Sequence, residues 1–169
     1  MPLIRWAFWL LLSFANASPA FAQASASVEV SGAVQKSLDL DAAALAAFPA
    51  AAIGQFTQSR SGSGADSRST VRGVRLAALI ERAGLDSADR NAWKSLAVIA
   101  TATDGYRAVF SWPEIMNTPV GEGVLVLFER DGKPLDEREG RIALISAADL
   151  KTGPRHVRNL KRIEVRALN

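Results

Sequence analysis

Apolar and polar residues alternate along Ser27-Val-Glu-Val-Ser31, the period of a half-buried strand, and Gly32 supplies a turn. Leu38-Asp-Leu40 repeats the alternation in miniature. Asp41 then stands where it caps an Ala-rich helix over 42–48, which Pro49 stops. Ile53–Thr57 is compatible with a further strand. Gln58–Thr70 is rich in Ser and Gly, carries Arg60 and Arg68, and offers little to bury, so a mobile loop is expected there. No Gly-Lys-Ser/Thr follows its glycines, which argues against a phosphate-cradling P-loop.

The pattern changes at Leu76. Positions 76, 79, 80 and 83 are apolar, a helical stripe closed by Gly84. Leu96–Thr103 reads as a buried strand, and Asp104-Gly105 predicts a type I′ hairpin into Tyr106–Phe110. Ser111 and Glu114 form a capping box, with Pro113 in the first turn of a one-turn helix. Gly123–Phe128 is a continuous apolar strand, Asp131-Gly132 a turn, and Ile142–Ile145 and Arg162–Arg166 further strands. Many short strands with a few short helices predict an α+β fold of mixed sheets rather than a doubly wound one. No internal repeat is visible.

The first residues follow a different rule. A short basic start to Arg5, an apolar run from Trp6 to Ala15 and the small-x-small Ala20-Phe-Ala22 have the layout of a secretory leader. The apolar run is shorter than the roughly twenty residues a bilayer span needs. The expected organisation is therefore a signal peptide over 1–22 and one domain over 23–169, exported and periplasmic, without a membrane span after cleavage.

Composition removes several chemistries. The 169 residues include no cysteine and one histidine. Thiol nucleophiles, iron–sulfur clusters, Cys-bound zinc and haem attachment through Cys-x-x-Cys-His are excluded, and packing alone must hold the domain. The formal net charge is +3, too small to argue for nucleic acid. The distribution says more. From residue 151 onward Lys151, Arg155, Arg158, Lys161, Arg162 and Arg166 face one acid, Glu164. Such a patch can receive a phosphate or sulfo-oxyanion, or it can be a solvated edge.

Four segments carry a resemblance. Val71-Arg-Gly-Val-Arg-Leu76, running into Leu79-Ile80 and Gly84-Leu85, is the first; Asp104-Gly-Tyr-Arg107 with Phe110-Ser111 is the second. Asp131-Gly-Lys-Pro-Leu135 through Glu139-Gly140 and the terminal Val157-Arg-Asn-Leu-Lys-Arg-Ile-Glu-Val165 are the others. In order and spacing the chain from Val28 to Val165 resembles the molybdopterin-binding domain of the sulfite oxidase family, in a short exported form. The resemblance implies the sulfite-oxidase-type fold and a terminal segment that helps hold a pyranopterin and its phosphate. Arg158 stands where that family has a lysine, and Lys161 and Arg162 match its following basic pair.

The departures from the family pattern matter as much. The cysteine that ligates molybdenum in the family falls after the strand ending near Thr57, where this chain reads Gln58-Ser-Arg60. A hydroxyl is a poor substitute for a soft thiolate. Both prolines of the family's Gly-x-Pro-Leu-Arg-Leu-Val-Val-Pro segment are gone, and Ala143 holds its arginine position, leaving Arg141 as a possible substitute. Molybdopterin is thus implied by resemblance, but molybdenum–thiolate ligation is disfavoured, and no metal ligand or catalytic residue is assigned.

The candidate cofactor-binding residues are Arg155, His156, Arg158, Lys161 and Arg107. For His156 the bland alternative is a surface imidazole kept neutral by flanking arginines, and a single histidine cannot build a metal site. Asp104 and Gly105 are accounted for by their turn. Trp93 and Trp112 read as packing residues. Asp136, Glu137 and Glu139, interleaved with Lys133 and Arg138, read as a solvated acidic loop rather than paired catalytic carboxylates. Two functions remain. One is a degenerate module binding a small anion, a pterin-like ligand or an exported redox or sensor protein. The other is an oxidoreductase that holds a molybdenum cofactor through pterin and phosphate contacts alone.

Overall fold

Val28 and Val30 point to one side of β1 (Ser27–Gly32) and are fully buried, while Glu29 and Ser31 face outward. That one-sided burial is repeated across a five-stranded sheet of order β2-β1-β10-β5-β6. Its members are β2 (Leu38–Asp41), β5 (Leu96–Ala102), β6 (Arg107–Ser111) and β10 (Leu160–Ala167). All pairings are antiparallel except β1 with β10. The computed structural model describes residues 25–60, 67–86 and 91–168. The expected leader over 1–22 lies outside them.

A second sheet runs β3 (Ile53–Arg60), β4 (Ser67–Arg75), β7 (Val124–Arg130), β8 (Lys133–Pro134), and β9 (Ala143–Ser146) also pairs with β7. Here both faces are covered, which explains the unbroken apolar run of β7. Val124, Val126 and Phe128 enter the main core shared with the first sheet, together with Leu144, Leu160 and Ile163. Leu125 and Leu127 pack on the opposite side with Val71, Leu135, Ala143 and Ile145.

The helices are short. α1 (Ala42–Ala46) is capped by Asp41, whose Oδ1 accepts from the Ala44 amide at 2.7 Å. α2 (Leu76–Ala83) buries the expected stripe of Leu76, Leu79, Ile80 and Ala83. α3 (Trp112–Asn117) begins at Ser111, whose Oγ accepts from the Glu114 amide, and α4 (Pro119–Glu122) follows at once. The α+β class with mixed short-strand sheets is what the structure has. No helix among the described residues is long and apolar enough to cross a membrane.

Two local expectations are corrected. The expected Ser/Gly loop over Gln58–Thr70 is strand on both flanks, with Gln58 opposite Ser69 and Arg60 opposite Ser67; residues 61–66 lie outside the described set. A ladder needs backbone groups rather than apolar side chains, so polarity hid it. The Asp104-Gly105 turn is not type I′: only Gly105 has positive φ (+87°), and the Ala102 amide donates to the Tyr106 carbonyl. That is a three-residue loop with a glycine bulge. The type I′ hairpin is Asp131-Gly132, with φ of 50° and 75°, joining Arg130 to Lys133.

Candidate functional site

The segment leading into β10 is laced to the segment leading into β9. Val157 and Leu144 exchange both backbone hydrogen bonds at 2.8 Å, and the Leu160 amide donates to the Ile142 carbonyl. Between them the Asn159 amide donates to the Glu139 carbonyl at 2.8 Å, while the Asn159 carbonyl accepts from Thr103 at 3.0 Å. Asn159 adopts φ of 48°, a left-handed backbone that asparagine tolerates better than most residues. One residue therefore ties together the 136–140 turn, the β5–β6 hairpin and the start of β10.

This convergence builds a cleft of two connected hollows. The first, about 410 Å³, is lined by Asp104, Tyr106, Arg138, Gly153, His156, Arg158 and others. The second, about 310 Å³, is lined by Ser69, Arg130, Asp136, Arg138, Glu139, His156 and Arg158. Arg138, His156 and Arg158 belong to both. Neither Arg138 nor Arg158 has an ion-pair or hydrogen-bond partner among the described residues, and both are exposed.

The floor is closed by an ion-pair cluster. Glu139 is 6 % exposed and receives Arg130 in a two-pronged grip, Nη2 to Oε1 at 2.7 Å and Nε to Oε2 at 2.9 Å. Arg130 Nη1 donates to Gln58 Oε1 at 2.9 Å and to Ser69 Oγ at 2.7 Å, so the β3–β4 ladder anchors the guanidinium. His156 Nε2 lies 2.8 Å from Glu139 Oε1. Burial alone would raise the Glu139 carboxyl; hydrogen bonds from His156 and Arg130, with their charges, outweigh it and lower the pKa from 4.5 to about 2. Glu139 is therefore a carboxylate, which only accepts, and His156 Nε2 must be the donor.

The residues chosen from the sequence fall in three places. His156 and Arg158 line the cleft. Arg155 does not: it donates to Asp149 and Glu114 and stacks 4.6 Å over the Phe110 ring. The Arg155 hydrogen bond, then that of Ser146, lower the Asp149 carboxyl against the effect of burial, and Arg155 is raised in turn. Lys161 and Arg107 line another hollow, of about 310 Å³, with Arg162, Glu164 and Arg166. Ala143 is fully buried in the smaller core, and Arg141 lines a 750 Å³ hollow with Asp41, Asp136 and Glu137. Arg141 thus contributes to neither part of the His156 cleft.

Sequence reasoning missed Arg130, Arg138 and the burial of Glu139. The acidic run is exposed at Asp136 and Glu137, as a solvated loop would be, but not at Glu139. Nothing local separates Glu139 from Glu137, because its partners lie 9 residues upstream and 17 downstream. The one available signal was Gly140, whose φ of 79° lets the backbone pass close to Asn159. His156, for its part, is not a loose surface imidazole: its side chain is 11 % exposed and hydrogen-bonded.

The chain belongs to the oxidoreductase molybdopterin binding domain family, whose model matches residues 15–168. The sulfane dehydrogenase SoxCD from Paracoccus pantotrophus has the same fold, with a TM-score of 0.61 at 17 % identity over 84 % of this chain. This chain spans 39 % of that one. No curated protein sequence matches.

The family's cofactor can be tested against these side chains. Thiolate ligation of molybdenum asks for a cysteine, and the chain has none. Gln58, beyond Thr57 on the strand, is engaged by Arg130, and the described residues hold no cluster of three or more His, Cys, Asp or Glu suited to a metal. The donor set does not fit thiolate-ligated molybdenum. The rim does fit an oxyanion, because two guanidiniums without partners among the described residues line the cleft.

Proposed function

We propose that this chain is an exported, periplasmic member of its family that serves as a small-anion-binding module without molybdenum–thiolate chemistry. The observation that carries the reading is that Arg138 and Arg158, both without partners among the described residues, line one cleft in a chain that supplies no thiolate. A guanidinium pair offers a tetrahedral oxyanion several forked N–H donors, while the floor is already neutralised by the Arg130–Glu139 pair. The ligand is a compact oxyanion, free or as the phosphate of a pterin-like molecule, and no nucleic acid is involved. Tyr106 stiffens the far wall, its hydroxyl donating to the Pro154 carbonyl at 2.6 Å.

The same guanidinium pair favours a second reading, an oxidoreductase whose cofactor is gripped through pterin and phosphate alone. Elemental analysis for molybdenum, with fluorescence of oxidised pterin, separates the two when mature protein is taken from cofactor-producing and cofactor-deficient hosts. The module reading expects no molybdenum from either host, and millimolar or tighter sulfate binding that Arg158→Gln weakens about tenfold, the loss of one charged hydrogen-bond pair. Near-stoichiometric molybdenum and pterin from the producing host alone would establish the second reading instead.

A further inference from the structure

Among the described residues, the charges that line the cleft balance one another. Arg130, Arg138 and Arg158 are matched by Asp104, Asp136 and Glu139, and the remaining titratable groups are His156 and the phenol of Tyr106. Neighbouring Arg155 is neutralised by Asp149 and Glu114 and takes no part. Two of the acids are also held in place: Asp104 Oδ1 accepts from the Tyr106 amide and Asp136 Oδ1 from the Glu139 amide, both at 2.9 Å. Among the described lining residues, the balance therefore turns on one imidazole. That imidazole sits between the two hollows, with Nε2 fixed on Glu139. A proton gained by His156 must go to Nδ1, because Nε2 already carries its hydrogen.

We propose that the cleft is proton-coupled: His156 takes up a proton as an oxyanion enters between Arg138 and Arg158. The site then holds the oxyanion more tightly when His156 carries the added proton. This regulation rests on the anion-binding reading above. Glu139 is the positioning residue. Its carboxylate fixes the tautomer and supports the imidazolium, while Arg130 keeps Glu139 itself from adding a net negative charge. A unit charge a few ångströms from a bound anion, partly screened, strengthens binding on the order of tenfold. Reciprocity requires the anion to move the imidazole titration to higher pH by the corresponding amount.

The chain has one histidine, so the untagged protein gives one imidazole signal. The experiment follows histidine ¹⁵N shifts from pH 5 to 8 with sodium sulfate or with chloride at equal ionic strength, and measures sulfate affinity by calorimetry at both ends. Sulfate should move the titration upward, and its affinity should fall on the order of tenfold from the acid to the neutral end. His156→Gln should bind sulfate with an affinity independent of pH. Sulfate binding that is equally strong at both ends, or a pH dependence that persists in His156→Gln, overturns the coupling while leaving the anion site standing. An absence of sulfate binding at every pH overturns both.

Discussion

Glu139 joins two partners that are distant in sequence, and its ionisation is a measurable part of the fold. Its folded pKa is about 2 against an ordinary 4.5. A depressed carboxyl contributes stability that is complete above the unfolded value and is lost as pH falls through the folded one. Stability should thus hold above about 4.5 and decline toward pH 2, by about 3 kcal/mol from this group. Urea unfolding at stepped pH tests this. Glu139→Gln should lose about that amount at pH 7 and show a shallower acid slope, whereas an unchanged slope would mean that other carboxylates govern the decline. The identity of this residue was on view in the sequence, but its burial was not. A carboxylate is excluded from water only where paired charges arrive from elsewhere.

Turns and strands bring those partners together, and Gly140 shows how little room they have. A Cβ on Gly140 would lie 2.3 Å from Asn159 Oδ1 and 2.8 Å from its Cα, on a backbone at φ of 79°. Gly140→Ala should destabilise by about 1–3 kcal/mol, read as a lower Tm, and should loosen His156 through Asn159. A Tm equal to the parent's would show that the turn relaxes freely. Most elements were legible because they obey one-dimensional rules. β1, β5, α2 and the caps at Asp41 and Ser111 follow period, cap and turn chemistry. The flanks of the polar segment were not, since the Gln58–Ser69 pairing is a ladder without an apolar face. Nor does the capping box close: Glu114 directs its carboxylate to Arg155 at 2.7 Å rather than back along its own turn.

At the scale of the molecule, two sheets share one core and the second sheet carries another on its far side. β7 is central and covered on both faces, and β10 is central in the first sheet between β1 and β5. Their amides should exchange slowest, at a free energy near that of global unfolding, whereas β6 and β3 at the sheet edges should exchange sooner. Hydrogen exchange followed by mass spectrometry or NMR checks this; edge strands as protected as β10 would point to a covered edge. The sequence by itself determined the α+β class, the family, the missing thiolate and most local elements. These depend on residue type, on period and on the order of short motifs. Tertiary structure alone decided which cations meet in a cleft. It turned Arg155 inward to Asp149 and Glu114, sent Lys161 and Arg107 to another hollow, and placed Arg138 beside His156 and Arg158. Sequence neighbours on an irregular approach to a strand point in unrelated directions, and only the packing of distant segments decides which charges are paired and which face solvent.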